Sequence, residues 1–282
     1  MVDDRALSPL AGIVRKQDHD RFLTALFAPA AQRDSLMALY AFNYEVAKTR
    51  EMVRESMLGS MRLQWWRDSI SAIYEDAPVR RHEVVEPLAA TIREHRLSRV
   101  HFDRLIDARE ADLADAPPAT LAALEAYAEA SSVPLVLLAL EILGVRDRGC
   151  AEAARGVGIG FALAGLLSAV PFHARQRRLY LPADLLAAQK IDVERTLFEM
   201  KSPPALAGIA AEISARAEAC LARARKDAVP RAAIPALLPG IVASRKLARI
   251  ARAGHHLFAP SLRQVDGMLI ARLAVAALMG RY

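Results

Sequence analysis

The feature that most constrains this chain is its punctuation. From residue 18 onward, apolar residues recur at three- and four-residue intervals in successive blocks, and each block ends at a proline, a glycine or a short polar turn. That period belongs to helices that bury one face; a half-buried strand would alternate every second residue. The blocks predict helices over 18–27, closed by Pro29, and over 34–55, capped by Asp34 and broken by Gly59. In the second, Leu36, Leu39, Tyr40, Phe42, Asn43, Val46 and Val53 form one stripe. Further helices are expected over 61–74, 87–95, 99–114 and 120–131, with Pro117-Pro118 as a link and Pro134 opening another helix to Gly144. After 152–169 comes a basic turn at 175–178 leading into Leu179-Tyr180-Leu181-Pro182. Three more helical stretches follow, bounded by Pro203-Pro204, Pro230 and Pro260. No block repeats at a fixed period, so a solenoid is excluded.

Composition agrees with the period. Much of the 54% hydrophobic fraction is Ala and Leu, and aromatics make up only 6%, which favours helices over sheets. A chain of 282 residues is long enough to bury one large core, so the expectation is one all-α bundle of about ten helices spanning 1–282. Cys150 and Cys220 lie far apart with no Cys or His at metal-ligand spacing, which argues against a disulfide scaffold and a structural zinc. The first residues carry two Asp and lack the apolar core of a signal peptide, so a cytoplasmic location is expected. The longest uncharged run, from Gly156 to Phe172, holds several glycines and Pro171 and reads as a buried core helix better than as a membrane span.

Charge is distributed unevenly. Within 214–263, Arg216, Arg223, Arg225, Lys226, Arg231, Arg245, Lys246, Arg249, Arg252 and Arg263 face only Glu218 and Asp227, a local balance of +8 inside a chain of +6. On a helix, Arg245, Arg249 and Arg252 share one face, with Lys246 beside them. Such a basic face suits an anionic membrane surface or an acidic partner, or is simply a solvated side of the bundle. No aromatics interleave with these cations, so nucleic acid is not expected as a partner.

Two segments carry a family resemblance. ALYAFNYEVAKTRE at 38–51, followed by RLQWWR at 62–67, and the stretch 158–182 ending RRLYLP resemble the squalene/phytoene synthase family of head-to-head prenyl transferases. The likeness runs through nearly the whole chain, in order and at matching spacing. RLQWWR, AFNYEVAKTRE and LEILG at 140–144 look most like the branch of complex I assembly factors. The resemblance implies an isoprenoid-synthase bundle with a central cavity. It also implies Mg²⁺ clamped by an Asp-rich motif on each of two facing helices, because ionising a prenyl diphosphate requires the leaving group to be neutralised.

Here both motifs are degraded. The first falls on Ala47, Lys48 and Glu51, of which only Glu51 is a carboxylate, and the second on Ala169 and His173. Upstream of the second, the positions that the resemblance implies should bear polar residues hold Ala162, Gly165 and Ser168. Glu51 with a histidine could hold a transition metal weakly, but three convergent carboxylates for Mg²⁺ are missing. Arg175, Arg178 and Tyr180 match the basic segment that in the enzymes faces the diphosphate, and Asn43, Gln64, Arg67, Arg109 and Asp112 are candidates to line a cavity. The competing reading places Arg109 and Asp112 among surface ion pairs of the 103–115 run. Likewise, Trp65 and Trp66 read as core packing, and His173 reads as structural rather than as a base.

The resemblance therefore implies a pseudoenzyme with no cofactor. It would act in the assembly of respiratory complex I, bind its subunits or intermediates, and sit peripherally at the inner membrane. Two alternatives stand beside it: an active prenyl transferase using Mg²⁺, and a protein that binds an isoprenoid lipid without chemistry.

Overall fold

The computed structural model describes residues 8–282 except Arg54, Asp115 and Asp227. The amino-terminal expectation, the acidic end of the 103–115 run and one of the two acids in the basic region thus lie outside the described residues. The described residues form fourteen α-helices: α1 Pro9–Gln17, α2 His19–Ala25, α3 Ala30–Ala47, α4 Thr49–Met52, α5 Ser56–Tyr74, α6 Val85–His95, α7 Arg99–Ala108, α8 Leu121–Ile142, α9 Arg148–Arg175, α10 Ala183–Ala188, α11 Ala205–Ala224, α12 Ile234–Leu237, α13 Pro239–Arg252 and α14 Leu269–Met279. No strand occurs among them. The fold class expected from the periodicity is the one observed.

Helix α9 is the axis of the bundle, packed on α8, α11 and α13, while α3 packs on α1, α6 and α8. Backbones come unusually close here. A Cβ on Gly158 would stand 2.8 Å from Val133 Cγ2 on α8, and one on Gly156 would stand 2.5 Å from the Cys220 carbonyl on α11. The glycines of the uncharged run are therefore packing devices that let α9 sit between two helices. Two helices, α8 and α9, are long and apolar enough to cross a membrane, and half of each such window is buried inside the protein. Elsewhere Phe42, Trp66 and Phe102 meet edge to face, with centroids 5.4 and 5.3 Å apart. Trp66 is the buried ring of its pair, and Trp65 packs half-buried against His82.

Several helix boundaries differ from the expectation, each for a tertiary reason. Pro134 lies inside α8, so the two helices expected on either side of it are one; the residues around it are buried against α9, and that burial outweighs the lost hydrogen bond. Gly59 lies buried inside α5, where a Cβ would come 2.4 Å from Leu113 Cδ2. Helix α3 starts at Ala30, ahead of Asp34, and stops at Ala47, with the one-turn α4 after it. The helix expected over 99–114 ends at Ala108 and continues as a 3₁₀ turn, Ala111–Leu113. Helix α1, opened by Ser8 accepting from the Ala11 amide and by a first-turn proline, was not foreseen.

Candidate functional site

Helix α3 delivers the first degraded motif at its carboxyl end. Ala47 and Lys48 are half-buried, Glu51 is exposed on α4, and Asn43 is buried a turn earlier. The buried carboxylate is another one: Glu45, 5% exposed. Its two oxygens are taken by Lys48 and by Arg62 Nη2 from α5, the latter at 2.9 Å. Lys48 also lies over the Tyr44 ring at 4.7 Å. A side-chain ammonium thus answers the negative charge at this end of α3. An adjacent Mg²⁺ would be repelled by Lys48 and Arg62 rather than drawn in.

The second motif lies on the last turns of α9. Around Gly165 there is open space, Ala162 and Ala169 are half-buried, and the exposed Ser168 hydroxyl donates back to the Ala164 carbonyl at 2.8 Å. His173 is half-buried, with Nδ1 enclosed and without a partner. Burial first, and then the nearby Arg178, depress its pKa to about 4, against the opposing pull of Asp112. The imidazole is neutral at pH 7 and a weak base. Among the described residues no three His, Cys, Asp or Glu side chains come together in a way that would hold a metal. The donor set at the two motifs, one exposed carboxylate and one histidine, does not fit the Mg²⁺ chemistry of the prenyl transferases.

A polar cluster lies beside His173 and is built around Asp112 on the 3₁₀ turn. Tyr127 of α8 and Tyr180 donate their hydroxyls to Asp112 Oδ1 at 2.7 and 2.9 Å, and Arg109 donates to Oδ2 at 3.2 Å. Arg109 also reaches the Tyr127 hydroxyl at 2.9 Å, and Arg178 reaches the Tyr180 hydroxyl at 2.8 Å and the Asp112 carbonyl at 3.1 Å. The His173 ring lies 4.7 Å from that of Tyr180. Desolvation works against the Arg109 charge, yet Tyr127 and Asp112 outweigh it and hold the guanidinium above its ordinary range. Burial chiefly drives both phenols well above theirs, with Asp112 adding to the effect. The surface-pair reading of Arg109 and Asp112 is therefore corrected: Asp112 is 6% exposed and its partners come from three elements. Each phenol spends its only proton on Asp112, so neither is free to donate to a ligand.

A cavity of about 300 Å³ opens beside the cluster, walled by Pro117, Pro118 and Leu179 with Asp112, Tyr127 and Tyr180. The remaining candidates do not join it. Gln64 is exposed and bonds Asp68 at 2.8 Å, Arg67 pairs with Asp107 and Glu110 at 2.8 and 2.7 Å, and Arg175 is exposed. Sequence reasoning missed Tyr127 and Glu45. Tyr127 lies on a predicted helix with nothing in the pattern tying it to Asp112, whereas Glu45 could have been read from its i, i+3 spacing to Lys48.

The basic stripe of α13 is largely occupied within the protein. Arg245 pairs with Asp266 at 2.8 Å and holds its carboxyl below the usual carboxylate range, and Lys246 pairs with Asp20 of α2 at 2.5 Å. Arg249 donates to the carbonyls of Ser261, Leu262 and Gln264, and Arg252 to that of Ala248. These cations fasten α2 and the loop before α14 to the bundle.

The Squalene/phytoene synthase family profile matches residues 14–268. The chain is 31% identical over 272 residues to the Bos taurus protein named NADH dehydrogenase (ubiquinone) complex I, assembly factor 6, with 96% of this chain and 81% of that one aligned. Its Homo sapiens counterpart is 32% identical over 259 residues, 91% and 77% of the two chains. A presqualene diphosphate synthase from Rhodopseudomonas palustris is 29% identical over 159 residues, 56% of each chain. Among solved structures, a ligand-bound dehydrosqualene synthase superposes with a TM-score of 0.82 at 16% identity over 96% of this chain and 94% of that one. A squalene synthase from Alicyclobacillus acidocaldarius gives 0.76 at 20% identity, covering 88% and 93%. Both show the same fold.

Proposed function

This chain belongs to the squalene/phytoene synthase family, and from that premise we propose that it is a non-catalytic member that serves in the assembly of respiratory complex I. The observation that carries the proposal is the pair of motif sites: carboxylates that would clamp Mg²⁺ are replaced by Ala47, Lys48, Ala169 and His173, and Lys48 is engaged by a buried glutamate. Likeness to assembly factors along almost the full length supports the second half of the reading, whereas likeness to a presqualene diphosphate synthase extends over about half the chain. Its partners would be complex I subunits or assembly intermediates, met at the membrane that carries them.

The Asp112 cluster fits such a role. Three segments distant in sequence are tied together by one carboxylate whose bonds are already made, which stabilises a scaffold and leaves no group poised to attack or protonate a substrate. The active transferase reading needs a different metal site, and the described residues offer no such set. Deleting the gene and quantifying assembled NADH:quinone oxidoreductase on native gels tests the proposal. A clear fall in the assembled complex, restored by the wild-type gene, is expected, and unchanged levels refute it.

A further inference from the structure

In helix α14 sequence and surroundings point opposite ways. Leu269–Met279 is almost wholly apolar, yet only Leu273 and Ala276 are buried. Met268, Val275, Leu278 and Met279 stand 59%, 54%, 75% and 57% exposed. With Ala271, which is also exposed, they fall on one side of the helix, opposite Leu273. Just before the helix, Val265 is 93% exposed. A groove of about 920 Å³ runs between this stripe and α13, lined by Ile241, Val275 and Met279 and also by Arg272 and Arg281. It is larger than the cavity beside Asp112 and lies away from both motif sites.

Charge says what covers this face. Residues 267–282 contain no Asp or Glu, and Asp266 is already paired with Arg245. Among the described residues Arg231, Arg252, Arg263, Arg272 and Arg281 have no carboxylate within ion-pair distance, in contrast to Arg245 and Lys246. A second copy of the chain, meeting this face with its own, would add the same Arg272 and Arg281 and no Asp or Glu from 267–282 to answer them. An apolar stripe edged by uncompensated arginines matches instead a layer that is apolar within and anionic at its surface. A helix of 11 residues is about 16 Å long, half of the ~30 Å a bilayer core demands, so it would lie in the interface and not cross it.

We propose that α14 and the adjoining groove form an interfacial surface that seats on an anionic lipid bilayer. Met268, Val275, Leu278 and Met279 enter the acyl boundary while Arg272 and Arg281 face lipid phosphates. The inference goes beyond the assembly role and does not depend on it, since lipid contact is read on purified protein without complex I.

The test is sedimentation of the purified full chain with vesicles of phosphatidylcholine alone or with about one-quarter phosphatidylglycerol, in about 0.1 M salt. The wild type is expected to pellet with the anionic vesicles and to be released as salt rises. Leu278→Asp should weaken binding roughly ten-fold or more, while Met61→Asp, at an exposed methionine on α5, should leave it unchanged. As a second measurement, Leu278→Cys labelled with a polarity-sensitive dye should shift to the blue on anionic vesicles; Cys150 and Cys220 are buried. The proposal is overturned if the wild type stays in the supernatant, if the Leu278 and Met61 variants lose binding alike, or if the dye senses only water. An acidic protein partner for this face would give the first of these results.

Discussion

The cluster around Asp112 and the face around α14 handle polar and apolar groups in opposite ways. At Asp112, a buried carboxylate, two phenols and two guanidinium groups satisfy one another, and the surrounding wall is proline and leucine. At α14, apolar side chains face solvent and the arginines beside them lack carboxylates. The first region has completed its interactions within the chain; the second has left them for something else to complete. In a family whose enzymes do their chemistry inside the bundle, this difference moves the centre of interest from the interior to the surface. It predicts that substitutions inside change stability while substitutions at α14 change association.

Asp112→Ala should produce the largest loss. It strands Arg109, Tyr127 and Tyr180 in a buried setting, and unfolding in denaturant should register about 3–5 kcal/mol. A cost near that of an exposed site would mean that the lock is not closed. Acid should expose the same region through His173. Because its folded pKa, about 4, lies below the ordinary 6.5, the unfolded chain takes up the proton first. Stability should therefore hold above about pH 6.5 and decline as pH falls toward 4, by on the order of 2–3 kcal/mol. His173→Gln should flatten that decline in a series of denaturation curves, and an unchanged slope would assign it elsewhere. Burial lowers the pKa of His101 as well, so some slope should survive the substitution.

Lys48→Met leaves Glu45 with Arg62 as its remaining cation. With Lys48 partly open to water, a loss of about 1–2 kcal/mol is expected in thermal or chemical unfolding. The smallest effect belongs to Leu278→Asp, which should leave stability within about 0.5 kcal/mol of wild type because the side chain is 75% exposed. A loss several times larger would show that the stripe is already covered within the free protein.

Much of this comparison was legible in the sequence, but unevenly. Helical periodicity and proline punctuation were enough for an all-α bundle, and the motif substitutions at Ala47, Lys48, Ala169 and His173 could be read directly because they lie at fixed spacing in segments that resemble a known family. What escaped depends on contacts between distant residues. Pro134 and Gly59 look like breaks locally, yet α8 and α5 run through them, Pro134 buried where α8 packs on α9 and Gly59 buried beside Leu113. The arginines of α13 read as a free basic face until the loop before α14 folds back to supply Asp266 and three carbonyls. Helix α14 is almost wholly apolar, and nothing in its local pattern shows that most of it stays exposed. Beyond the i, i+3 spacing of Arg109 and Asp112, the gathering of these two with Tyr127 and Tyr180 has no local signature, since it depends on how the end of α7, α8 and the segment after α9 meet.

The loss of the metal clamp, on which the assembly role rests, can be tested without reference to any partner. Purified protein at high concentration, incubated with farnesyl or geranylgeranyl diphosphate and Mg²⁺, is assayed for released pyrophosphate. Release no greater than in a protein-free control is the predicted result. Sustained release that rises with protein concentration, and is abolished by removing Mg²⁺, would contradict the account and restore the chain to the working prenyl transferases.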